Sequence, residues 1–368
     1  MRIIISLLFL FLVLFTSPAV AADIKADFTK AYNAYNAAVE AGDKDAVIEA
    51  AQRAYQVGKK RFGEDDINTG GLALNYGNAL LGKWRGEEAV EVLTFALEIY
   101  EQVYGKKSLD LIDPLLALAE AERSNYKKKW GIVHLHRASD IVEQQLGKDV
   151  GVYYEIELMI GQIYYYGITG RKQSTALAYF ERAHEWYRAK YGEESPHTAQ
   201  AVFWIGKSHL QGRKYKLAIT DFNEALKGLD SSTNSQHRLA LSTHAFLVSA
   251  YEKLGDKEKS REHCRTIGML HPKDEIDGAQ PVYRAPLVFP KAMASTGKEG
   301  EVVVEFTVDK NGETKNIKVV EGESRGGKGF YKATVEAIAK TRYAPRYQNG
   351  EFLETKNVRN RLVFKLTD

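Results

Sequence analysis

The chain has 368 residues, of which 44% are apolar and 27% are charged, and this composition is ordinary for a protein that buries a sizeable core. Its formal net charge of +3 gives no basic field of the kind that holds nucleic acid through many phosphate contacts. The length predicts two domains, and nucleic acid is excluded from the expected partners.

The first 22 residues have the pattern of a secretory signal peptide. Met1 and Arg2 precede an apolar run at residues 3–15, and a Ser-Pro pair and the small residues 19–22 follow it. The run is shorter than the roughly 20 residues that span a membrane. A cleavable signal peptide over residues 1–22 is therefore predicted. The alternative is a retained segment that anchors the chain to a membrane.

Glycine recurs at a near-constant interval along the first two thirds of the chain. Gly63, Gly105, Gly147 and Gly192 are separated by 42, 42 and 45 residues, and a further step of 42 reaches Asn234. Because glycine and asparagine tolerate the left-handed backbone that ends many helices, each position is predicted to follow a helix. The three extra residues of the longer interval fall in the turn at residues 165–173.

Two series of mostly small residues repeat with the same intervals. They are Ala54, Ala96, Ala138, Ala183 and Ala225, and Ala89, Gly131, Ala176, Ala218 and Ser260. Small side chains are needed where two helices approach closely, so the repeating unit is a helical hairpin. Ser195 and Pro196 have the residue types of an N-cap and a first helical residue, and they predict the start of the next hairpin.

The repeats resemble an array of tetratricopeptide repeats (TPR). The family's alternation of small and large residues is present at Ile205-Gly206, Tyr215, Ala218, Phe222 and Ala225, and at Tyr76-Gly77, Leu80, Ala89, Leu93 and Ala96. The period of 42 residues is similar to the variant with lengthened helices in kinesin light chains. Six hairpins fit between residues 24 and 272, so the repeat domain is predicted over residues 23–272.

The TPR resemblance implies a protein-binding superhelix whose concave groove is lined by the first helix of each hairpin. On the family pattern, the polar groove positions are Asn36, Asn78, Glu120, Gln162 and Lys207. The positions one turn earlier, which either face the groove or pack between helices, are Leu74, Leu116, Leu158 and Phe203. The pattern specifies no single type of partner.

The only cysteine, Cys264, excludes an internal disulfide, so the core alone must stabilise an exported chain. Cys264 lies on the apolar face of a predicted helix. We therefore expect a buried structural thiol and not a reactive one.

The sequence pattern changes after Pro272. Residues 273–284 contain glycine and proline and are predicted as a linker. Apolar residues then alternate from 300 to 308 and again at 317–319, with an Asp-Lys-Asn-Gly turn between the two runs. Helical spacing at 330–338 and alternation at 358–366 complete the order strand, strand, helix, strand. A small α+β domain is predicted over residues 285–368.

Residues 285–368 resemble the TonB C-terminal domain. The matching motifs are Phe289-Pro290, the strand Gly300–Val308, Arg342-Tyr343-Ala344-Pro345 and Asn349-Gly350. Phe289 stands where that family usually has Tyr, and Met293 stands where it usually has Ala. The fold class predicted for the whole chain is an α-helical TPR superhelix followed by a small α+β domain of TonB C-terminal type, with the order β-β-α-β.

The TonB resemblance implies that an extended peptide, the TonB box of outer-membrane transporters, binds by adding a strand to an edge of the sheet. By position, the binding strand is Val358, Arg359, Asn360, Arg361, Leu362, Val363 and Phe364. In the alternative interpretation this strand only completes the sheet or is covered by the repeats. Arg359 and Arg361 would then act as charges that protect a sheet edge from unwanted pairing.

No sequence motif predicts catalysis, a cofactor or a metal site. The stretch from Gly322 to Gly329 resembles a phosphate-binding loop, but Gly329 stands where a Ser or Thr would contact magnesium. His134 and His136 are two residues apart on a predicted helix, so their side chains point in different directions. We expect a binding protein and not an enzyme.

The two resemblances predict a periplasmic protein that acts in or beside TonB-dependent outer-membrane transport. Its expected partners are periplasmic or outer-membrane proteins, including TonB-dependent receptors or proteins of the TonB system. An energy transducer of this system needs a permanent membrane helix and a long Pro-rich spacer. With 8 prolines and a cleaved signal, this chain is expected to have neither, so we do not expect it to transduce energy alone. The alternatives are an envelope scaffold without a role in this transport and, if the signal is retained, an inner-membrane anchor facing the periplasm.

Overall fold

The computed structural model describes residues 18–124, 128–167, 173–229, 234–270 and 279–366. The chain divides into two compact units, residues 1–170 and 171–368. Most of the predicted signal peptide lies outside the described residues, and the first helix begins at Pro18. Within the described ranges, no helix combines the length and the apolar character needed to cross a membrane.

Twelve helices in the described part of the chain precede the C-terminal domain. The first unit contains α1 (Pro18–Ala41), α2 (Lys44–Phe62), α3 (Ile67–Leu81), α4 (Gly86–Tyr104), α5 (Ile112–Ser124), α6 (Lys128–Leu146) and α7 (Gly151–Gly167). The second contains α8 (Gln173–Tyr191), α9 (Pro196–Gln211), α10 (Tyr215–Lys227), α11 (Asn234–Leu254) and α12 (Lys257–Leu270). Consecutive helices pack as hairpins, as in α1–α2, α3–α4 and α5–α6 of the first unit and α9–α10 and α11–α12 of the second.

The glycines of the 42-residue series end helices, as predicted. Gly63, Gly105, Gly147 and Gly192 have φ angles of 99°, 82°, 77° and 86°. Each directly follows the last residue of a helix. The prediction at Asn234 was wrong, because Asn234 begins α11. The preceding helix α10 ends early, at Lys227, where a Cβ on Gly228 would lie 2.7 Å from the Ser195 carbonyl oxygen.

The start of α9 confirms the predicted cap. The Ser195 side chain accepts a hydrogen bond from the His197 backbone N–H at 3.2 Å, and Pro196 is the first helical residue. Thr198 Oγ1 then donates to the Gly192 carbonyl oxygen at 2.7 Å, and Thr69 makes the same bond to Gly63 at 2.6 Å. Two repeats therefore use one local turn chemistry to join their hairpins.

The small residues of the repeats lie where helices touch. Ala54, Ala96, Ala138, Ala183 and Ala225 are at most 1% exposed. A Cβ added to Gly77 would lie 2.5 Å from Leu93 Cγ, and one added to Gly206 would lie 2.8 Å from the Phe222 ring. Glycine at these positions allows large apolar side chains of the second helix to fill the space beside the first.

The C-terminal domain places one helix on a three-stranded antiparallel sheet. Its elements are β1 (Pro281–Tyr283), α13 (Lys291–Ala294), β2 (Gly300–Val308), β3 (Thr314–Val319), α14 (Tyr331–Lys340), β4 (Arg342–Tyr343), β5 (Arg346–Gln348), β6 (Glu351–Leu353) and β7 (Thr355–Phe364). The sheet order is β3-β2-β7. Val302, Val304 and Phe306 of β2 face a core that includes Phe330 and Ile338. The predicted β-β-α-β order is confirmed.

Two small pairs of strands were not predicted. β1, which lies inside the predicted linker, pairs with β4, and β5 pairs with β6. Asn349 and Gly350 join β5 to β6 with φ angles of 53° and 85°, as a two-residue hairpin turn requires. The Asn-Gly pair was a sequence signal for the β5–β6 hairpin. Phe289, the departure from the family's Tyr, packs edge-on against Phe330 and Phe364.

Candidate functional site: the open edge of the C-terminal sheet

Strand β7 forms one edge of the three-stranded sheet. Among the described residues β7 pairs with β2 alone, in an antiparallel register that places Val302 opposite Leu362 and Val304 opposite Asn360. All seven residues from Val358 to Phe364 that the sequence assigned to peptide binding lie on this strand. The structure brings them together in one extended segment at the sheet edge.

The hydrogen bonds of β2 show which groups of β7 point away from the sheet. Val303 accepts from the Val320 N–H on the β3 side, and Glu301 exchanges two hydrogen bonds with Arg325 on the same side. In an antiparallel sheet successive residues bond to opposite neighbours, so Val302 and Val304 bond to β7. Their partners Leu362 and Asn360 therefore point their backbone groups inward.

The residues between these inward pairs direct their backbone groups outward. They are Arg359, Arg361 and Val363, which lie opposite Glu305, Val303 and Glu301 in the register. No backbone hydrogen bond from these three residues to the open side is present within the described ranges. β7 consequently offers three N–H and C=O pairs in a row, the arrangement that an added strand recognises.

The side chains of β7 divide between the two faces of the sheet. Val358, Leu362 and Phe364 pack against the apolar core, and Phe364 is buried. Arg359 and Arg361 lie on the opposite face, as the sequence alternation predicted. Arg359 pairs with Glu305 at 3.1 Å and with Glu323 at 2.9 Å, and Arg361 pairs with Glu301 at 2.7 Å.

The sequence did not single out Glu301 and Glu305, although they alternate with the core-facing Val302, Val304 and Phe306 on β2 and therefore lie on the outer face. The ion pairs draw both guanidinium groups back over β2. More than half of each arginine side chain nevertheless stays exposed, 54% for Arg359 and 61% for Arg361. The arginines therefore leave the backbone edge uncovered and keep hydrogen-bond donors accessible beside it.

A bulge limits the usable length of the edge. Lys356 and Asn357 together oppose Thr307, and Asn357 has a φ of 57°. A second bulge on β3 contains Asn316, with a φ of 53°. Bulges break the regular spacing of edge groups, so the regular part of β7 begins at Val358.

The predicted TPR groove residues differ in their surroundings. Asn36 and Asn78 are exposed. Glu120 and Gln162 line one small depression between α5 and α7, where Glu120 also forms an ion pair with Arg123. Leu74 and Leu158 are 9% and 3% exposed, which favours the interpretation that these apolar positions pack between helices.

Lys207 does not project freely into a groove. The residue is only 7% exposed, and its Nζ atom lies 3.9 Å from the Trp204 ring centroid and 5.3 Å from that of Phe246. Burial lowers the pKa of Lys207 to about 8. The aromatic rings of α9 and α11 therefore enclose this lysine through cation–π contacts, which a sequence pattern by itself does not show.

Within the described residues, no group of three or more His, Cys, Asp or Glu side chains is arranged to hold a metal ion. The loop from Gly322 to Gly329 packs against β2 through the paired backbones of Arg325 and Glu301. Gly326 and Gly327 have φ angles of 91° and 89°. The resemblance to a phosphate-binding loop thus does not extend to a strand–loop–helix arrangement on a parallel sheet.

Residues 285–366 match the family model for the C-terminal domain of the Gram-negative bacterial TonB protein. No curated protein matches the chain. Its helices are similar to those of three solved structures, which are BtubC (BKLC) from P. vanneervenii, a putative kinesin light chain with TPR-like repeats from Podosopora anserina, and pilF from Pseudomonas aeruginosa.

The three likenesses are distant. BtubC is 15% identical with a TM-score of 0.49, over 70% of this chain and 97% of its own. The kinesin light chain is 14% identical with a TM-score of 0.45, over 54% of this chain and 92% of its own. PilF is 12% identical with a TM-score of 0.43, over 68% of this chain and 94% of its own.

The repeat assignment rests on this chain's own helical hairpins and small-residue contacts. The chain joins a TPR-like array of helical hairpins to a TonB C-terminal domain at residues 285–366.

Proposed function

We propose that this protein binds an extended peptide by strand addition at β7, while its helical hairpins bind a separate protein partner. The observation that carries the proposal is the row of outward backbone groups at Arg359, Arg361 and Val363. Backbone pairing supplies affinity with little demand on the peptide's sequence, and side chains on alternate positions supply selectivity. The peptide would cover about seven residues, from Val358 to Phe364.

The proposed setting is the periplasm, in or beside TonB-dependent outer-membrane transport. The match of residues 285–366 to the TonB C-terminal family supports this setting, because that family belongs to the envelope of Gram-negative bacteria. The peptides would be N-terminal segments of outer-membrane receptors. The exposed Asn36 and Asn78 and the depression at Glu120 and Gln162 are the candidate contacts for the second partner.

The test is a binding titration with the full chain. Fluorescently labelled peptides from the N-termini of the host's outer-membrane receptors are added, and their anisotropy is followed. The informative variant is Val363→Pro, because proline removes one outward N–H donor and is tolerated on the solvent side of an edge strand. Val363→Ala is the matched control, since it keeps that donor.

We expect at least one receptor peptide to bind the wild type and Val363→Ala alike, and Val363→Pro to weaken binding at least about tenfold. Circular dichroism and thermal unfolding verify that the proline variant is folded. Equal binding by the proline and alanine variants would exclude strand addition at β7. If no receptor peptide binds the folded wild type, the envelope-scaffold function is favoured instead.

Cross-linking in cells separates transport from scaffolding by a second route. A photo-reactive amino acid at Asn78 reports on the array, and one at Lys356 reports on the edge strand. Capture of an outer-membrane receptor from position 356 supports the transport role. Capture of other envelope proteins only, from both positions, supports the scaffold.

A further inference from the structure

The C-terminal domain lies directly against the last helical hairpin, α11–α12, and both belong to the second compact unit. Val248 of α11 and Cys264 and Ile267 of α12 form one buried apolar cluster with Ala344 of the C-terminal domain. Val282 and Tyr283 of β1 pack on the edge of the same cluster. Elsewhere in the array, the next hairpin covers the apolar surface of the one before it. At the last hairpin, the C-terminal domain covers that surface instead.

An ion-pair network crosses the same contact. Arg342 Nε donates to Glu252 Oε1 at 2.7 Å, and Glu252 also accepts from Ser260 Oγ at 2.7 Å. On its other side Arg342 lies 3.7 Å from Glu313, which accepts from Arg261 at 3.2 Å. The side chains of Arg342 and Glu252 are 5% and 10% exposed, so the central pair is almost fully removed from water.

The two backbones also approach closely. A Cβ on Gly268 of α12 would lie 2.2 Å from the Pro345 carbonyl oxygen. Such a close approach needs glycine at position 268. Arg342, Ala344 and Pro345 all belong to the motif that resembles the TonB family, and in this chain each of them contacts the last hairpin.

We propose that the last hairpin is a built-in docking site for the C-terminal domain, and that hairpin and domain unfold as one cooperative unit. The edge strand β7 is then carried on the final repeat as a rigid extension and not on a free tether. This inference concerns the contact between hairpin and domain, so it stands whether or not β7 binds a peptide.

The buried ion pair explains why release of a folded C-terminal domain is unfavourable. Separation would expose Cys264 and Ile267 and would also break the pair between Arg342 and Glu252. Replacing Glu252 removes the closer carboxylate partner of the buried Arg342 and leaves only Glu313 at 3.7 Å, and such a loss from a buried ion pair is strongly destabilising. A C-terminal domain held on a mobile tether would instead make a small and polar contact with the hairpin, without such a buried pair.

Cys264 supplies a natural reporter, because it is the only cysteine and lies at the contact. In the full chain, its rate of reaction with a thiol reagent is measured across a urea series. Hydrogen exchange of the amides at 302–308 is measured in parallel and reports on the core of the C-terminal domain. All 4 tryptophans precede residue 205, so their fluorescence reports separately on the array.

We expect Cys264 exposure and exchange at 302–308 to share one free energy and one urea dependence. Glu252→Gln should speed both about a hundredfold. The matched control is Glu262→Gln, which removes an exposed ion pair with Lys259 on the same hairpin and should change both less than about fivefold.

Two outcomes would overturn the inference. In one, Cys264 of the wild type reacts much faster than the amides at 302–308 exchange, so that the domain leaves the hairpin while folded. In the other, Glu252→Gln behaves like Glu262→Gln.

If Glu252→Gln does not fold, Ile267→Val provides the same test. Loss of one buried methylene should then speed both processes together by about two- to tenfold, and a change in only one of them counts against cooperativity.

Discussion

Gly268 of α12 lies so close to Pro345 that a Cβ at position 268 would come within 2.2 Å of the Pro345 carbonyl oxygen. Two physical effects therefore oppose each other when this glycine is replaced. Alanine favours a helix over glycine by about 1 kcal/mol, so intrinsic propensity alone predicts stabilisation of α12. The backbone atom at Pro345 cannot move aside without shifting the C-terminal domain.

We expect Gly268→Ala to destabilise the contact in spite of its better helix propensity, by roughly 1–3 kcal/mol. Reaction of Cys264 with a thiol reagent should become faster, since the C-terminal domain is pushed away from α12. Stabilisation by about 1 kcal/mol, with Cys264 as protected as before, would show that the close contact does not exist in solution.

A second glycine prediction concerns the repeat core. Gly77 and Gly71 lie on the same helix, α3, but a Cβ on Gly77 would lie 2.5 Å from Leu93 Cγ, whereas one on Gly71 would have its nearest neighbour, Tyr100 Oη, at 3.8 Å. Gly77→Ala should lower the free energy of unfolding by roughly 1–3 kcal/mol through overpacking. Gly71→Ala should raise it by up to about 1 kcal/mol.

Urea unfolding monitored by tryptophan fluorescence measures both glycine variants in the array. Because they share a helix, a common change in helix propensity cancels in the comparison. Two alanine variants of equal stability would contradict the role assigned to the small-residue positions.

The third prediction concerns the peptide and rests on strand addition at β7. Residues 355–366 contain Lys356, Arg359, Arg361 and Lys365 and no acidic residue. In an added antiparallel strand, peptide residues directly opposite Arg359 and Arg361 place their side chains on the same face as the two guanidinium groups. Acidic residues two apart in the peptide, with an apolar residue between them, should therefore bind best.

We expect each such acidic residue to tighten binding about two- to fivefold relative to glutamine. The gain should shrink as salt is raised, since the charges are exposed. Arg361→Gln should remove the preference at one position only. Anisotropy titrations with a set of glutamate and glutamine peptides measure this, and an unchanged preference in Arg361→Gln would place the acidic residue elsewhere.

The fourth prediction is a loss of stability in mild acid. His244 and His263 lie with their Nδ1 atoms 3.0 Å apart between α11 and α12, and the Tyr251 ring stacks on His263. Burial, together with the neighbouring His263, lowers the pKa of His244 to about 4, against a weaker opposing effect of Glu262. Burial also lowers the pKa of His263, with Glu262 opposing this and Lys259 adding to it.

Because the unfolded chain binds a proton near pH 6.5 and the folded pair resists it, stability should fall as the pH drops from about 6.5 towards 4. Thermal unfolding of the full chain over this range measures the effect. His244→Gln should flatten the dependence, whereas the exposed His136→Gln should retain it. A wild-type melting temperature that is constant between pH 6.5 and 5 would contradict the prediction.

Much of the helical array follows from local chemistry. Gly63 and Gly192 end helices because glycine adopts a positive φ without steric cost, and Ser195-Pro196 begins one because the pair caps and pre-orders the first turn. The prediction failed at Asn234, where the interval continued but α10 had already ended at Lys227. A residue that tolerates a left-handed backbone does not by itself require one.

The burial of the candidate groove residues could not be predicted in the same way. Lys207 occupies the same repeat position as the exposed Asn78, but aromatic rings from α9 and α11 surround it. Whether a polar side chain at this position faces solvent depends on the neighbouring helix. The sequence pattern of a single repeat contains no information on that neighbour.

By itself, the sequence determined the helical hairpins and the strand-strand-helix-strand order of β2, β3, α14 and β7, because helix caps, alternation and turn residues act over a few positions. It also determined that Arg359 and Arg361 lie on the face of β7 opposite Leu362, since side chains alternate along a strand. Only the tertiary structure decided that β7 is an open edge, and that Arg342 is buried against Glu252, 90 residues away in the chain. Both facts arise from pairing between distant segments, whose choice depends on the shape and charge of the whole folded surface and not on any local pattern.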